Sequence, residues 1–363
     1  MKNLCRALLC AAAAIYLTAP VAARTTADGG AFPSVDSAVL TLMRRYGLPA
    51  ASIAVVRDGR MAYKAAYGEK DTVSHKKART HNRYRIASLS KPVTMTGILL
   101  LAAQGKLSLD DTVFGPDGIL GLDYGPVPVN SGKELITVRH LLEHTSGWEN
   151  APDDPMFSND GATQRQIMAR MLAARPLAAP TGERYSYSNF GYLVLGRVIE
   201  KVSGMPYEKF IRRRILRPCG IRRMRIGEPH GGRPRRDEPR YYLLPEEIGG
   251  TYYLDVRRMD AHGGWIASAE DMARFMMRID RNTAVGDILP DSLAAQFYLG
   301  FEQWIHTGSL PGTAAVLMRI DDRLSFVLLA DKRSYDTNFW EELSHETAAA
   351  IALDDKRQRE HAH

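Results

Sequence analysis

A serine three residues ahead of a lysine, Ser88 and Lys91 in "RIASLSKPVT", opens the apolar run "KPVTMTGILLLAAQGKL", which reads as a largely buried helix closed by Gly105. Side chains three apart on a helix share a face. A serine at a helix start also lies beside unpaired N–H groups and the positive end of the dipole. That pairing suits nucleophilic catalysis: the hydroxyl attacks a carbonyl, and the amine takes its proton once burial has lowered the lysine pKa. The same spacing occurs at Ser74 and Lys77, but within the charged stretch "EKDTVSHKKARTHNR". Spacing alone therefore selects neither pair, and context favours Ser88. Ser90 points away from the Ser88–Lys91 face and reads as structural.

A nucleophile and a base still need a proton relay and a means of holding the acyl group. Tyr187-Ser188-Asn189 occurs once, between a Pro/Gly turn and a helix start, and His306-Thr307-Gly308 occurs once, ahead of "SLPGTAAVLMRI". Three such motifs in this order, each at a junction of loop and element, form a constellation that none makes alone.

The elements that must position them follow from periodicity. "ASIAVVRDGRMAYKAAYGEKD" (51–71) reads as two strands turning at Asp58-Gly59, and "AAVLMRIDDRLSFVLLADK" (314–332) as a hairpin turning at Asp321-Asp322. Helical patterning covers 137–145, 163–174, 191–203, 268–280 and 338–353. Strands near both ends with helices between them predict an α+β fold: an antiparallel sheet formed by the chain termini, flanked by helices, with a mainly helical insertion. The sheet lobe is expected at about 35–85 and 300–355 and the helical lobe at about 86–295.

Composition fits an ordinary globular chain, with 363 residues, 45% apolar and 25% charged. Residues 1–23 have a basic start (Lys2, Arg6), an apolar middle and a Val21-Ala22-Ala23 ending, the layout of a secretory signal peptide cleaved before Arg24. Residues 24–363 are then one catalytic domain, secreted and expected in the periplasm. Cys5 and Cys10 fall in the leader, so the mature chain keeps only Cys219, a buried inert thiol by its apolar setting. The formal charge is +7, and eleven arginines lie between Arg212 and Arg240. No aromatics interleave to stack bases, so this run reads as a solvated surface and no nucleic-acid partner is expected.

The three motifs resemble those of the serine β-lactamase and DD-peptidase superfamily, in its class C β-lactamase-like branch. The resemblance extends over about residues 35–350 and includes "GKLSLDDTV", "ITVRHLLEHTSGW" and "HGGWIASAEDMARFM". It implies the β-lactamase/transpeptidase-like fold, Ser88 as the acylated nucleophile, Lys91 as its proton acceptor and Tyr187 as the relay that protonates the leaving group. It further implies that Asn189 hydrogen-bonds the substrate amide, that His306, Thr307 and Gly308 line the site on a sheet edge, and that the amides of Ser88 and Ser309 form the oxyanion hole. No cofactor or metal is implied. The third motif departs from the Lys-Thr-Gly of class C enzymes, and Tyr-Ser-Asn with His-Thr-Gly is closer to DD-carboxypeptidases. Neither Ser-Asp-Asn nor the Glu-x-x-Leu-Asn of class A enzymes is present, and the interval from Asn189 to His306 is short for class C. The implied activity is a D-alanyl-D-alanine carboxypeptidase-like or β-lactamase-related serine hydrolase, acting on a small molecule or peptide.

Other readings compete. A carboxylesterase of the same fold would use the same residues, and a non-catalytic binder of penicillin or cell-wall fragments would need only the cleft. A zinc peptidase is the remote alternative, because His140-Leu-Leu-Glu143-His144 matches His-x-x-Glu-His, with Glu200 or Glu208 as a downstream ligand.

Overall fold

The computed structural model describes residues 24–361, apart from 30, 159, 230–234, 248–253, 283 and 296–303. The expected leader lies outside the described residues. Strand β1 (Arg24–Gly29) precedes helix α1 (Pro33–Tyr46), which opens on a proline and closes on Gly47 in the left-handed conformation. β2 (Ala50–Arg57) and β3 (Arg60–Asp71) form the expected hairpin. Its Asp58-Gly59 turn has φ of 50° and 67°, the doubly positive geometry that matches right-handed strand twist. β4 (Lys76–Lys77) folds back on β3, and β5 (Tyr84–Arg85) leads through a 3₁₀ turn (Ala87–Leu89) into α2 (Ser90–Ala103).

The helical region contains α3 (Val138–Leu142), α4 (Gln164–Ala173), α5 (Asn189–Ser203) and α6 (Tyr207–Ile211). Side-chain caps fix three of these starts: Thr137, Thr163 and Ser188 each accept a backbone N–H of the first turn. β6 (Arg225–Ile226) and β7 (Trp265–Ala267) then join β5 in a small sheet of order β5-β7-β6. After α7 (Ala269–Met276) and α8 (Asp291–Ala294) come β8 (Trp304–Leu310), β9 (Thr313–Arg319) and β10 (Leu324–Ala330). α9 (Phe339–Glu341) continues through a π-helical stretch (Glu342–Glu346) into α10 (Thr347–Glu360).

The main sheet has the order β1-β3-β2-β10-β9-β8, with β2 against β10 joining the two ends of the chain. Successive residues of its central strands serve two cores. Ile53, Val55, Phe326 and Leu328 pack with α1 and the C-terminal helices, whereas Ala54, Val56, Val327 and Leu329 pack toward the helical region. A one-residue slip would send every one of these side chains to the wrong face, and each large one is worth about 1.5–3 kcal/mol buried. The register of β8 is thereby tied to the core.

The α+β architecture expected from the sequence is observed. β1 lies ahead of the expected start of the sheet lobe near 35, and the β5-β7-β6 sheet was not foreseen because strands of two or three residues carry no readable period. Among the described residues no helix is long and apolar enough to cross a membrane. Cys219 is buried, and burial pushes its thiol up to about 12, so it stays protonated.

Candidate active site

Ser88 sits in the 3₁₀ turn, one residue after Ala87, which has a φ of 48°. That left-handed backbone is costly for a residue with a side chain. It turns the chain sharply from β5 into α2 and presents Ser88 beside first-turn amides that have no partner within the helix. Tyr187 donates its hydroxyl hydrogen to Ser88 Oγ at 2.7 Å, and Lys91 Nζ lies 3.2 Å from the same oxygen. Three residues named from the sequence thus converge on one atom.

Lys91 is 1% exposed. Its amine also donates to Asn189 Oδ1 at 2.7 Å and to the carbonyl of His262 at 3.0 Å, using all three donors of an ammonium. The Tyr187 and Tyr192 rings stand 4.7 and 5.6 Å from Nζ. Burial nevertheless dominates and pulls the lysine down to about 7, with the Asp154 carboxylate opposing the fall. At pH 7 about half of such lysines are free base, against roughly one in three thousand for an exposed lysine.

Burial pushes the Tyr187 phenol the other way, above its ordinary value, with the bond to Ser88 opposing. It is a neutral proton donor. The His144 ring packs against it at 4.6 Å between centroids, and also against Tyr192 at 5.1 Å. His144 Nδ1 accepts the backbone N–H of Ser188 at 3.1 Å, and burial holds the imidazole down to about 3, so it is a neutral support. Like Ala87 it has left-handed backbone, with φ 59°.

Asn189 opens α5. Its Nδ2 donates to Asp154 Oδ2 at 2.6 Å, and its backbone N–H donates to Asn150 Oδ1 at 3.0 Å. The amide therefore joins Asp154 to Lys91, and only the second Nδ2 hydrogen is left for a substrate. Asp154, Asn150 and the His262 carbonyl were missed in the sequence. They come from loops without periodicity, and a backbone carbonyl has no residue signature. The hint at Asp154 was local: it caps the 3₁₀ turn Pro155–Phe157, accepting the N–H of Met156.

The third motif lies within edge strand β8, not at its start, with His306, Thr307, Gly308 and Ser309 opposite Leu317, Val316, Ala315 and Ala314. β8 packs on the Ala87–Leu89 turn. A Cβ on Gly308 would lie 2.3 Å from the Ile86 carbonyl oxygen, so only glycine lets the strand come this near the Ser88 turn. His306 is half-buried. Loss of solvent and then the Lys91 charge hold its imidazole below the usual histidine range. The positive charge with which it could read a substrate carboxylate at neutral pH is therefore reduced. Ser309 Oγ accepts from Arg333 Nη1 at 2.9 Å, and the guanidinium is itself held by Glu247 at 2.5 Å and by Tyr335 OH at 2.6 Å.

The residues of the metal alternative do not meet. His140 Nδ1 accepts the Thr137 N–H in a capping box, Glu143 lies 3.8 Å from Arg139, Glu200 accepts the Tyr207 N–H and Glu208 the Ile226 N–H. Among the described residues no group of three His, Cys, Asp or Glu side chains is placed to hold a metal ion. Ser90 Oγ accepts the Trp265 N–H at 3.3 Å, a structural bond within the small sheet's approach to α2.

The beta-lactamase family model matches residues 35–342. Penicillin-binding protein 4* of Bacillus subtilis is 28% identical over 329 residues, covering 79% of this chain and 69% of that protein. Protein flp of Staphylococcus aureus is 31% identical over 188 residues, covering 51% of this chain and only 36% of its own length. Among solved structures, the D-amino acid amidase of Ochrobactrum anthropi SV3 in complex with D-phenylalanine superposes with a TM-score of 0.72 at 19% identity, covering 88% of this chain and 98% of that one. The structural likeness shows the fold, and the family match extends over most of the sequence: the chain belongs to the beta-lactamase family of serine hydrolases.

Proposed function

We propose that the chain forms an acyl-enzyme on Ser88 with an amide or ester and hydrolyses it, as a D-alanyl-D-alanine carboxypeptidase-like or β-lactamase-related enzyme. The observation that carries the reading is the Ser88 oxygen lying within hydrogen-bond reach of both Lys91 and Tyr187. Neutral Lys91 takes the Oγ proton as Oγ attacks the carbonyl carbon, and the oxyanion is held by the amides of Ser88 and Ser309. Tyr187 passes its proton to the leaving group and is reprotonated from Lys91, so the charge inside the site is conserved. Thr307 and Gly308 line the β8 edge along which the substrate lies, with the free Nδ2 hydrogen of Asn189 on its amide. The name of the Bacillus relative supports penicillin recognition. The layout of residues 1–23 supports a cleaved leader and secretion to the periplasm, with residues 24–363 as one catalytic domain.

One observation favours an ester or uncharged amide as substrate. His306 is held toward its neutral form, and Arg333, the cation on Ser309, is already engaged by Glu247. Among the described residues, that end of the site offers a carboxylate no uncommitted charge. Intact-mass spectrometry after incubation with a fluorescent penicillin and, separately, a fluorophosphonate tests the acyl-enzyme, with release of alanine from an acyl-D-alanyl-D-alanine peptide and of nitrophenol from a nitrophenyl ester reporting the substrate class. The expected result is a stoichiometric adduct that Ser88→Ala abolishes. Absence of an adduct with both reagents overturns the proposal and leaves a non-catalytic binder.

A further inference from the structure

We propose that the concavity beside β4, at the far end of β5 from Ser88, binds a compact ligand bearing two or more phosphoryl groups. The cavity has a volume of about 1440 Å³ and opens to solvent, and its walls come from four separate segments: the end of β3, β4 and the residues leading to β5, the approach to β6, and 235–240. Among the described residues, eight lysine and arginine side chains line it against three carboxylates.

Those carboxylates are already committed. Asp71 pairs with Arg240, Asp237 with Arg83 and Arg225, and Glu238 with Arg225. Among the described residues, no carboxylate lies within ion-pair distance of Lys76, Arg79, Arg223 or Arg236, and Lys70 Nζ finds only the Arg236 carbonyl, at 2.6 Å. Five like charges around one hollow repel each other, and two neighbours register the field. Loss of solvent and then Arg223, Arg79 and Lys70 hold His81 below the usual histidine range, and Lys70 is lowered by burial and then by Lys76.

The composition of the wall selects the ligand. Among the described residues, no aromatic or aliphatic side chain apart from the His81 imidazole lines the cavity, so they offer no stacking platform for successive bases and no apolar ring for a membrane. Arginine forks fit carboxylate and phosphate alike, but a phosphate monoester brings nearly two charges on one centre. Two or three phosphoryl groups neutralise what would take five carboxylates crowded into the same volume.

The test uses full-length protein at physiological salt, titrated calorimetrically with pyrophosphate and tripolyphosphate, and sedimented with vesicles containing phosphatidic acid or, for comparison, phosphatidylglycerol. A cavity variant carries Lys76→Gln, Arg79→Gln, Arg223→Gln and Arg236→Gln. A control of equal charge change carries Arg213→Gln, Arg214→Gln, Arg217→Gln and Arg222→Gln, all exposed and outside the cavity. Each of the four lost cations is a charge-assisted contact, so the cavity variant should bind tripolyphosphate at least about ten-fold more weakly, while the control changes less than about two-fold. Preferential sedimentation with phosphatidic acid identifies a lipid headgroup as the source of the phosphate, and binding of the soluble phosphates alone identifies a free one. Equal losses in the two variants, an unaffected cavity variant, or no binding by wild type up to about 5 mM overturns the proposal. Melting temperature and ester hydrolysis, which do not depend on these residues, confirm that each variant is folded.

Discussion

Replacing Asp154 by asparagine should make the enzyme faster at acid pH. In the proposed mechanism Lys91 accepts the Ser88 proton only as free base, so acylation should rise with pH through the lysine's value of about 7 and then level off. Asp154 stabilises the ammonium form by its charge, relayed across Asn189 through bonds of 2.6 and 2.7 Å. Two hydrogen bonds in series across a side-chain amide separate carboxylate and amine by roughly 6 Å. At an effective dielectric constant near 20, that charge pair is worth at most about 3 kcal/mol, or about two pH units. Asp154→Asn removes the charge, keeps the shape and leaves an amide oxygen in place of the carboxylate to accept from Asn189. The acid limb of kcat/KM should move down by about one to two pH units with the plateau little changed, so that at pH 5.5 the variant outpaces wild type by about ten-fold or more. Asp154→Ala should show the same displaced limb but a lower plateau, because Asn189 loses the acceptor that fixes its orientation. Stopped-flow acylation by a chromogenic ester from pH 5 to 9 measures both. A limb that stays in place, or moves up, in Asp154→Asn refutes the reasoning.

Ser88→Ala should abolish covalent labelling, whereas Ser90→Ala should retain it, as peptide mapping of the adduct will show. Lys91→Ala and Tyr187→Phe should each slow acylation by at least about 10²-fold, with a double variant far less than additive; near-normal rates in either single variant would remove that residue from the mechanism. Because burial depresses the Lys91 value, the unfolded chain holds this proton more tightly, and wild-type stability rises as pH climbs from about 7 toward the ordinary lysine value of 10.5. Lys91→Met should therefore melt above wild type most clearly at pH 7 and below, the gap narrowing as pH rises; a gap independent of pH contradicts the buried-base reading. With His306 held toward neutrality, kcat/KM on a carboxylate substrate divided by that on its ester should be flat between pH 6 and 8, and His306→Lys should raise the ratio; a wild-type ratio falling through that range would restore the histidine as a charge reader.

The fold was legible where one periodicity ran for several residues and ended at a recognisable turn. The β2–β3 and β9–β10 hairpins and the starts of α4, α5 and α7, each capped by Thr or Ser, are of this kind. The short strands β5 to β7 were not, since their pairing is set by what surrounds them. In the site, side chains that recur as a motif could be named in advance, but their supports could not. His144 is instructive: the pattern around it pointed weakly to a metal, whereas the ring is spent on the Ser188 amide and on the face of Tyr187. Both uses belong to tertiary packing, and a histidine in a helix-end loop carries no sign of which it will serve.

The two Ser-x-x-Lys pairs show what spacing leaves undetermined. Ser74 lies in the β3–β4 turn with its hydroxyl donated to Asp71 Oδ2 at 2.6 Å, and Lys77 is exposed on β4 and paired with Glu69 at 2.9 Å. The Lys77 amine is thus spent on Glu69 and the Ser74 hydrogen on Asp71, so these two side chains do not bond each other as Ser88 and Lys91 do. Lys91 meets the opposite conditions: neutral acceptors, two aromatic faces and almost no water, with the Asp154 carboxylate kept an amide's width away. Were Asp154 in direct contact with Nζ, its charge would hold the lysine protonated; were it absent, Asn189 would lose the partner that turns its oxygen toward the amine. The intervening asparagine gives orientation at close range while weakening the charge by distance. Burial lowers Lys91 toward neutrality, and the balance between those two effects, which the serine–lysine spacing does not set, keeps the carboxylate from undoing it.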